Sequence, residues 1–135
     1  MADRIDEIEG IGPAYAEKLN AAGIKTTDDL LAKAGSAKGR AELEAATGIG
    51  GGHILKWVNH ADLMRIKGVG GQYAELLEAA GVDTVKELRH RNAENLAAKL
   101  AEVNETRKLT GNVPNASMVA KWIEEAKGME PGVSH

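Results

Sequence analysis

The sequence contains no cysteine and no phenylalanine, only three prolines, and four aromatic residues: Trp57, Trp122, Tyr15 and Tyr73. Without cysteine there is no disulfide framework, no thiolate metal site and no cysteine nucleophile. No apolar run approaches the roughly 18 to 20 residues that a membrane span needs, so no membrane contact is expected. The opening stretch Met-Ala-Asp-Arg-Ile-Asp-Glu is polar and mixed in charge, unlike a secretory leader, and a cytoplasmic location is the expectation. Runs that alternate β-branched or aromatic residues with polar ones are missing too, which argues against strands.

An excess of basic charge is also lacking. Seventeen Lys and Arg face twenty Asp and Glu, for a net charge of -3. Domains that live on nucleic-acid phosphates are usually strongly basic. Residues 1-64 carry seven basic and ten acidic groups, and residues 65-135 carry ten of each. Any basic surface must therefore be local, with the second half as the better place for it.

What the chain does have is glycine, 16 in 135 residues, and a wealth of alanine, leucine, glutamate and lysine. The latter four are strong helix formers. Mean hydropathy of -0.30 with 43% hydrophobic residues describes a globular protein with enough apolar side chains for a core. Helical spacing of apolar residues, with Pro13 at a start and Gly23 at a stop, predicts a first helix around Tyr15 to Ala22. Further helices are expected to open at Thr27 and over about 38-46, 51-64, 71-80, 84-91, 93-104 and 116-127. The stretch 128-135 reads as a disordered tail.

The sequence repeats itself. Shifted by 58 positions, Ile8-Glu-Gly-Ile-Gly-Pro-Ala-Tyr-Ala-Glu-Lys-Leu19 falls on Ile66-Lys-Gly-Val-Gly-Gly-Gln-Tyr-Ala-Glu-Leu-Leu77. Ala21-Ala-Gly-Ile-Lys-Thr26 then falls on Ala79-Ala-Gly-Val-Asp-Thr84. Further along, Lys56-Trp57-Val58 matches Lys121-Trp122-Ile123 at an offset of 65, so the second copy carries about seven extra residues, expected in the 104-116 loop. The organisation follows: a first unit over 1-64, a second over 65-127, and the tail 128-135.

The core of each unit is apolar-x-Gly-apolar-Gly-x-x-x-Ala-x-x-Leu, with a looser version at Thr47-Gly-Ile-Gly-Gly-Gly-His53. Two glycines allow the positive φ and close backbone approach of a very tight turn between helices. The apolar residue between them, Ile11, Val69 or Ile49, is placed to pin the turn to the core. Such a turn leaves backbone N–H groups pointing outward at a helix N-terminus, which suits an anion and phosphate in particular. The same turn can serve purely to let helices pack.

Gly10-Ile11-Gly12 with Ala16 and Leu19, and Gly68-Val69-Gly70 with Ala74 and Leu77, resemble the helix-hairpin-helix signature. The whole pattern over about 4-127 also resembles a bacterial family of tandem helix-hairpin-helix proteins of unknown function. The resemblance implies an all-α fold, with tandem duplicated units packed into one compact helical domain. It also implies binding to nucleic-acid backbone without sequence preference, DNA rather than RNA. With the looser turn and the local cations added, the residues expected at that contact are Gly10, Gly12, Gly48, Gly50, Gly68 and Gly70, with Gln72 and the cations Arg65, Lys67, Lys86, Arg89 and Arg91 beside them. Against it stand Pro13, which has no N–H to offer, and the loss of Gly-x-Gly near 105-115.

A protein-interaction or scaffold module on the same frame is the competing expectation, favoured by the acidic first half. Arg89, His90 and Arg91 at a helix end are also what a solvated C-terminus with its dipole would carry. Trp57 and Trp122 at equivalent positions read as core residues. His53 and His60 lack a third ligand in a metal pattern, and Gly48-Ile-Gly50 lacks the preceding strand that a dinucleotide site needs. No nucleophile, histidine and acid are arranged for catalysis, so no enzyme, metal or cofactor is expected.

Overall fold

The computed structural model describes residues 3–134; Met1, Ala2 and His135 lie outside the described residues. Among these the chain is all-helical, with eight α-helices and no strand. They are α1 (Pro13–Ala21), α2 (Thr27–Ala34), α3 (Ala37–Thr47), α4 (Gly51–Leu63), α5 (Gly71–Ala79), α6 (Val85–Leu88), α7 (Ala93–Arg107) and α8 (Ala116–Lys127). None of them is long and apolar enough to cross a membrane.

Local sequence accounts for most boundaries. Pro13 occupies the first position of α1, where its missing N–H would have no partner anyway. Thr26 and Asp29 form a reciprocal capping box on α2, the Asp29 N–H donating to Thr26 Oγ1 at 3.1 Å and the Thr26 N–H to Asp29 Oδ2 at 3.1 Å. Ser36, Thr84, Asn92 and Asn115 cap α3, α6, α7 and α8 in the simpler way.

Two boundaries depart from the sequence pattern. Over the expected 84–91, helix α6 covers only Val85–Leu88, because His90 and Arg91 close short three-residue turns onto Glu87 and Leu88 before Asn92 starts α7. Helix α7 runs on to Arg107, where Lys108 takes a left-handed conformation. The Asn104 side chain then braces the following loop by exchanging two hydrogen bonds with Thr110, at 2.9 and 3.0 Å.

Helix α4 packs on α2 and α3, and α8 on α6 and α7, while α4 meets α5. A single cluster of buried side chains runs through both halves. Trp57 and Trp122 belong to it, Trp57 meeting Tyr15 edge-on and Trp122 meeting Tyr73 at a tilt, with ring separations of 4.9 and 5.3 Å. Before α1, a short 3-10 turn at Ile5–Glu7 and the pairing of Arg4 with Thr26 clip the N-terminal segment onto the α1–α2 turn.

Of the stretch 128-135 that the sequence reads as a disordered tail, the described residues 129–134 lie packed along the body. Met129 and Val133 pack on the core, and main-chain atoms from Met129 to Ser134 are hydrogen-bonded to both halves. The physical reason is a row of partners that sequence spacing hides: Gly35 and Arg40 from one half, Asp62 and Arg65 from the junction, Arg89 from the other. Residues 129–134 form a strap.

Candidate nucleic-acid interface

The two glycine turns are built alike. Gly10 and Gly68 sit at φ +95° and +90°, a region closed to most side chains. Gly12 and Gly70 follow in extended conformation as the N-caps of α1 and α5. Ile11 and Val69, between the glycines, are 5% and 3% exposed, as a pin under each turn should be. The two indoles fill the same place, since a Cβ on Gly10 would stand 3.6 Å from Trp57 Nε1 and one on Gly68 would stand 3.6 Å from Trp122 Nε1. The turns are also neighbours: the backbone of Gly71 abuts the carbonyl of Glu7 and the side chain of Glu9.

The N-termini of these two helices stand apart from the rest. Helices α2, α3, α6, α7 and α8 each receive a side-chain cap. At α1 and α5 no described residue accepts from the first free amides, Ala14 and Tyr15 on one, Gly71, Gln72 and Tyr73 on the other. The α5 terminus opens into a cleft of about 370 Å³ whose far wall is Thr110 and Asn112, from the loop that is longer in the second half. The Tyr73 hydroxyl donates to the Asn112 carbonyl at 2.9 Å and closes that wall. Gln72 is exposed at its rim.

The third glycine turn departs from the other two. Gly48 ends α3 with φ +74° and Gly50 caps α4, but the Gly51 N–H donates to Glu44 Oε2 at 3.2 Å. The anion that Gly48 and Gly50 were expected to receive is supplied by the chain itself. Glutamate seven residues upstream gives no motif, so sequence alone does not reveal it.

The expected cations gather, though elsewhere than around the turns. Lys67 is exposed beside Gly68, yet its N–H donates to Glu125 Oε2 at 3.1 Å, and Asp3 and Glu125 line the same hollow of about 650 Å³. Arg65 borders that hollow but turns away, with Nη2 at 2.6 Å from Asp62 Oδ1 and 2.7 Å from the Glu130 carbonyl. Arg89 donates to the Met129 carbonyl at 3.4 Å. Arg91 pairs with Glu87 at 3.6 Å. Lys86 faces a cavity of about 410 Å³ between the strap, Asp62 and Thr84. Arg65, Arg89 and Lys86 are therefore brought together by the strap, joined by Arg40, which the sequence did not single out.

Asp62 is the hub of that arrangement. Only 1% exposed, it accepts from Arg65 and Gly132 through Oδ1 and from the Val85 N–H at 2.9 Å through Oδ2. Val85 corresponds to Thr27, whose N–H donates instead to the Asp3 carbonyl at 2.9 Å. A carboxylate thus replaces a main-chain acceptor at the matching place in the second half.

Of the two histidines on α4, His53 is exposed beside Tyr15, and His60 is wholly buried with Nε2 3.1 Å from Glu78 Oε2. Lys56 Nζ lies 3.8 Å from the other Glu78 oxygen. Burial pushes the Glu78 carboxyl up, but the close approach of His60 and the positive charges of Lys56 and Arg107 outweigh it and hold the group below its ordinary value of 4.5.

With the paired turns in place, the family described as Domain of unknown function (DUF4332) matches residues 9–129. The chain belongs to the DUF4332 family. No curated protein and no solved structure matches it. The DUF4332 span takes in both glycine turns, the longer loop at 108–115 and the beginning of the strap.

Proposed function

We propose that the protein is a non-catalytic module of tandem helix-hairpin-helix units that binds the phosphate backbone of nucleic acid, DNA rather than RNA, without reading sequence. The observation that carries this reading is the pair of adjacent Gly-x-Gly turns whose helices have no side chain on their N-terminal amides, while a side chain accepts from at least one such amide in each of the other six. Free amides at the positive end of a helix dipole fit a phosphate oxygen, and two such ends side by side fit successive phosphates. Gly10, Gly12, Gly68, Gly70, Gln72 and Lys67 are the contact residues of this reading. Gly48 and Gly50 leave the set, because Glu44 fills their site.

A fluorescent DNA duplex titrated at ~50 mM salt tests it: log affinity should fall with log salt at about -0.9 per phosphate neutralised. Absence of binding at that salt overturns the reading. A protein-interaction module on the same frame is favoured by one observation, the carboxylates of Asp3 and Glu125 in the hollow at the second turn. Stable capture of a protein partner from nuclease-treated lysate, with no DNA retained, is its signature.

A further inference from the structure

The strap is held in an unusual way. Arg40 Nη2 donates to the Ser134 carbonyl at 2.6 Å while its Nη1 holds the Ala34 and Gly35 carbonyls of the body, and Arg65 donates to the Glu130 carbonyl and Arg89 to the Met129 carbonyl. Three guanidinium groups thus bind neutral main-chain oxygens. No described carboxylate lies within ion-pair distance of Arg40 or Arg89, and Asp62 alone serves Arg65. A phosphate adds its own charge to such a contact and matches the planar guanidinium fork with two parallel N–H···O bonds. Lys86 stands beside the group without a carboxylate partner, over the cavity that the strap leaves unfilled.

Arg65 also borders the hollow of the second glycine turn, so this cationic row continues from Lys67 and Gly68. The strap itself reads as a fitted cover. The Ser134 N–H donates to the Gly35 carbonyl at 2.8 Å, and the Gly132 N–H to Asp62 Oδ1 at 3.1 Å. A Cβ at Gly132 would stand 2.5 Å from that same oxygen.

We propose that residues 129–134 are a displaceable cover over a second phosphate-contacting surface formed by Arg40, Arg65, Lys86 and Arg89. This rests on the backbone-binding reading above and adds its regulation. With the strap seated, only the glycine turns and Lys67 meet DNA. With it released, the arginines exchange the strap carbonyls for phosphates, Arg40 keeping its Nη1 contacts at the α2 end, and the contact lengthens along the surface.

The test uses the full chain and changes confined to the strap, with circular dichroism and a urea midpoint verifying that the helical body persists in each variant. Gly132→Val together with Ser134→Pro removes room at Asp62 and the donor to Gly35. The strap variant should bind a fluorescent duplex about tenfold more tightly at ~50 mM salt, with a steeper salt slope by about 2. Adding Arg65→Gln and Arg89→Gln should abolish the gain. In the native chain, saturating duplex should speed hydrogen exchange at the Gly132 and Ser134 amides. If native chain and strap variant bind DNA alike, or DNA leaves those amides protected, the cover is refuted while the backbone-binding reading stands. If neither chain binds, both readings fall.

Discussion

The carboxylate of Glu44 accepts the Gly51 N–H at 3.2 Å, so one helix N-terminus of the three behind a glycine turn already carries its anion. A side chain of the protein itself shows there what kind of group such an amide takes. Removing it should leave the α4 terminus uncompensated. Glu44→Ala is expected to lower stability by about 0.3–1 kcal/mol, the usual scale of a charge at a helix terminus. A lower urea midpoint with an unchanged slope checks it.

Glycines of different backbone geometry should respond with opposite signs. Gly68 holds φ +90°, so Gly68→Val should cost about 1–3 kcal/mol of strain. Gly52 lies within α4 at an ordinary helical conformation, with nothing near the place a Cβ would take. Gly52→Ala should raise stability by about 0.4–1 kcal/mol through the unfolded chain. Paired thermal melts of the two variants decide the matter, and a loss in both would contradict it.

Asp62 joins four elements of the architecture through a buried side chain. Asp62→Asn should cost about 1.5–3 kcal/mol, the range for hydrogen bonds to a charged group. Its second effect is local: amide exchange at Gly132 should quicken along with the global loss, because Oδ1 no longer carries a charge to hold it. A variant as stable as the native chain would remove Asp62 from this role.

Glu78 gives the acid limb a specific contributor. Its folded value lies below 4.5, so the group adds stability that is present above pH 4.5 and drains away as pH falls through the folded value. Glu78→Gln should therefore be less stable than the native chain at neutral pH, with the gap closing in acid. Urea unfolding from pH 7 down to about 3 measures it. A gap that does not narrow in acid would assign the stabilisation to something other than the ionised carboxylate.

The helical architecture was legible because its signals are local. Pro13, Thr26, Thr84 and Asn92 mark helix starts by their own chemistry, and the repeat of Gly-x-Gly places both turns at matching positions. The tryptophans were readable as core for the same reason. The strap was not, since its partners are far away in sequence and bind main-chain atoms, which carry no residue code: Gly35 and Ser134 are 99 positions apart. Arg65 and Arg89 were found by charge, but their direction depends on those distant carbonyls, and composition cannot report it. Glu44 and Glu125 escaped notice because an acceptor for a backbone N–H needs only reach, and many surface glutamates have that.

The strap's position has a consequence for how the protein is made. Synthesis runs from the N-terminus at about 5–20 residues per second, so Arg40, Arg65, Lys86 and Arg89 are all made before residues 129–134 exist. Until that segment emerges, the carbonyls that Arg65 and Arg89 hold in the strap do not exist, and these contacts are among the last to form. Seating residues 129–134 is therefore a closing step of the fold, made after the helices that the strap bridges have been synthesised.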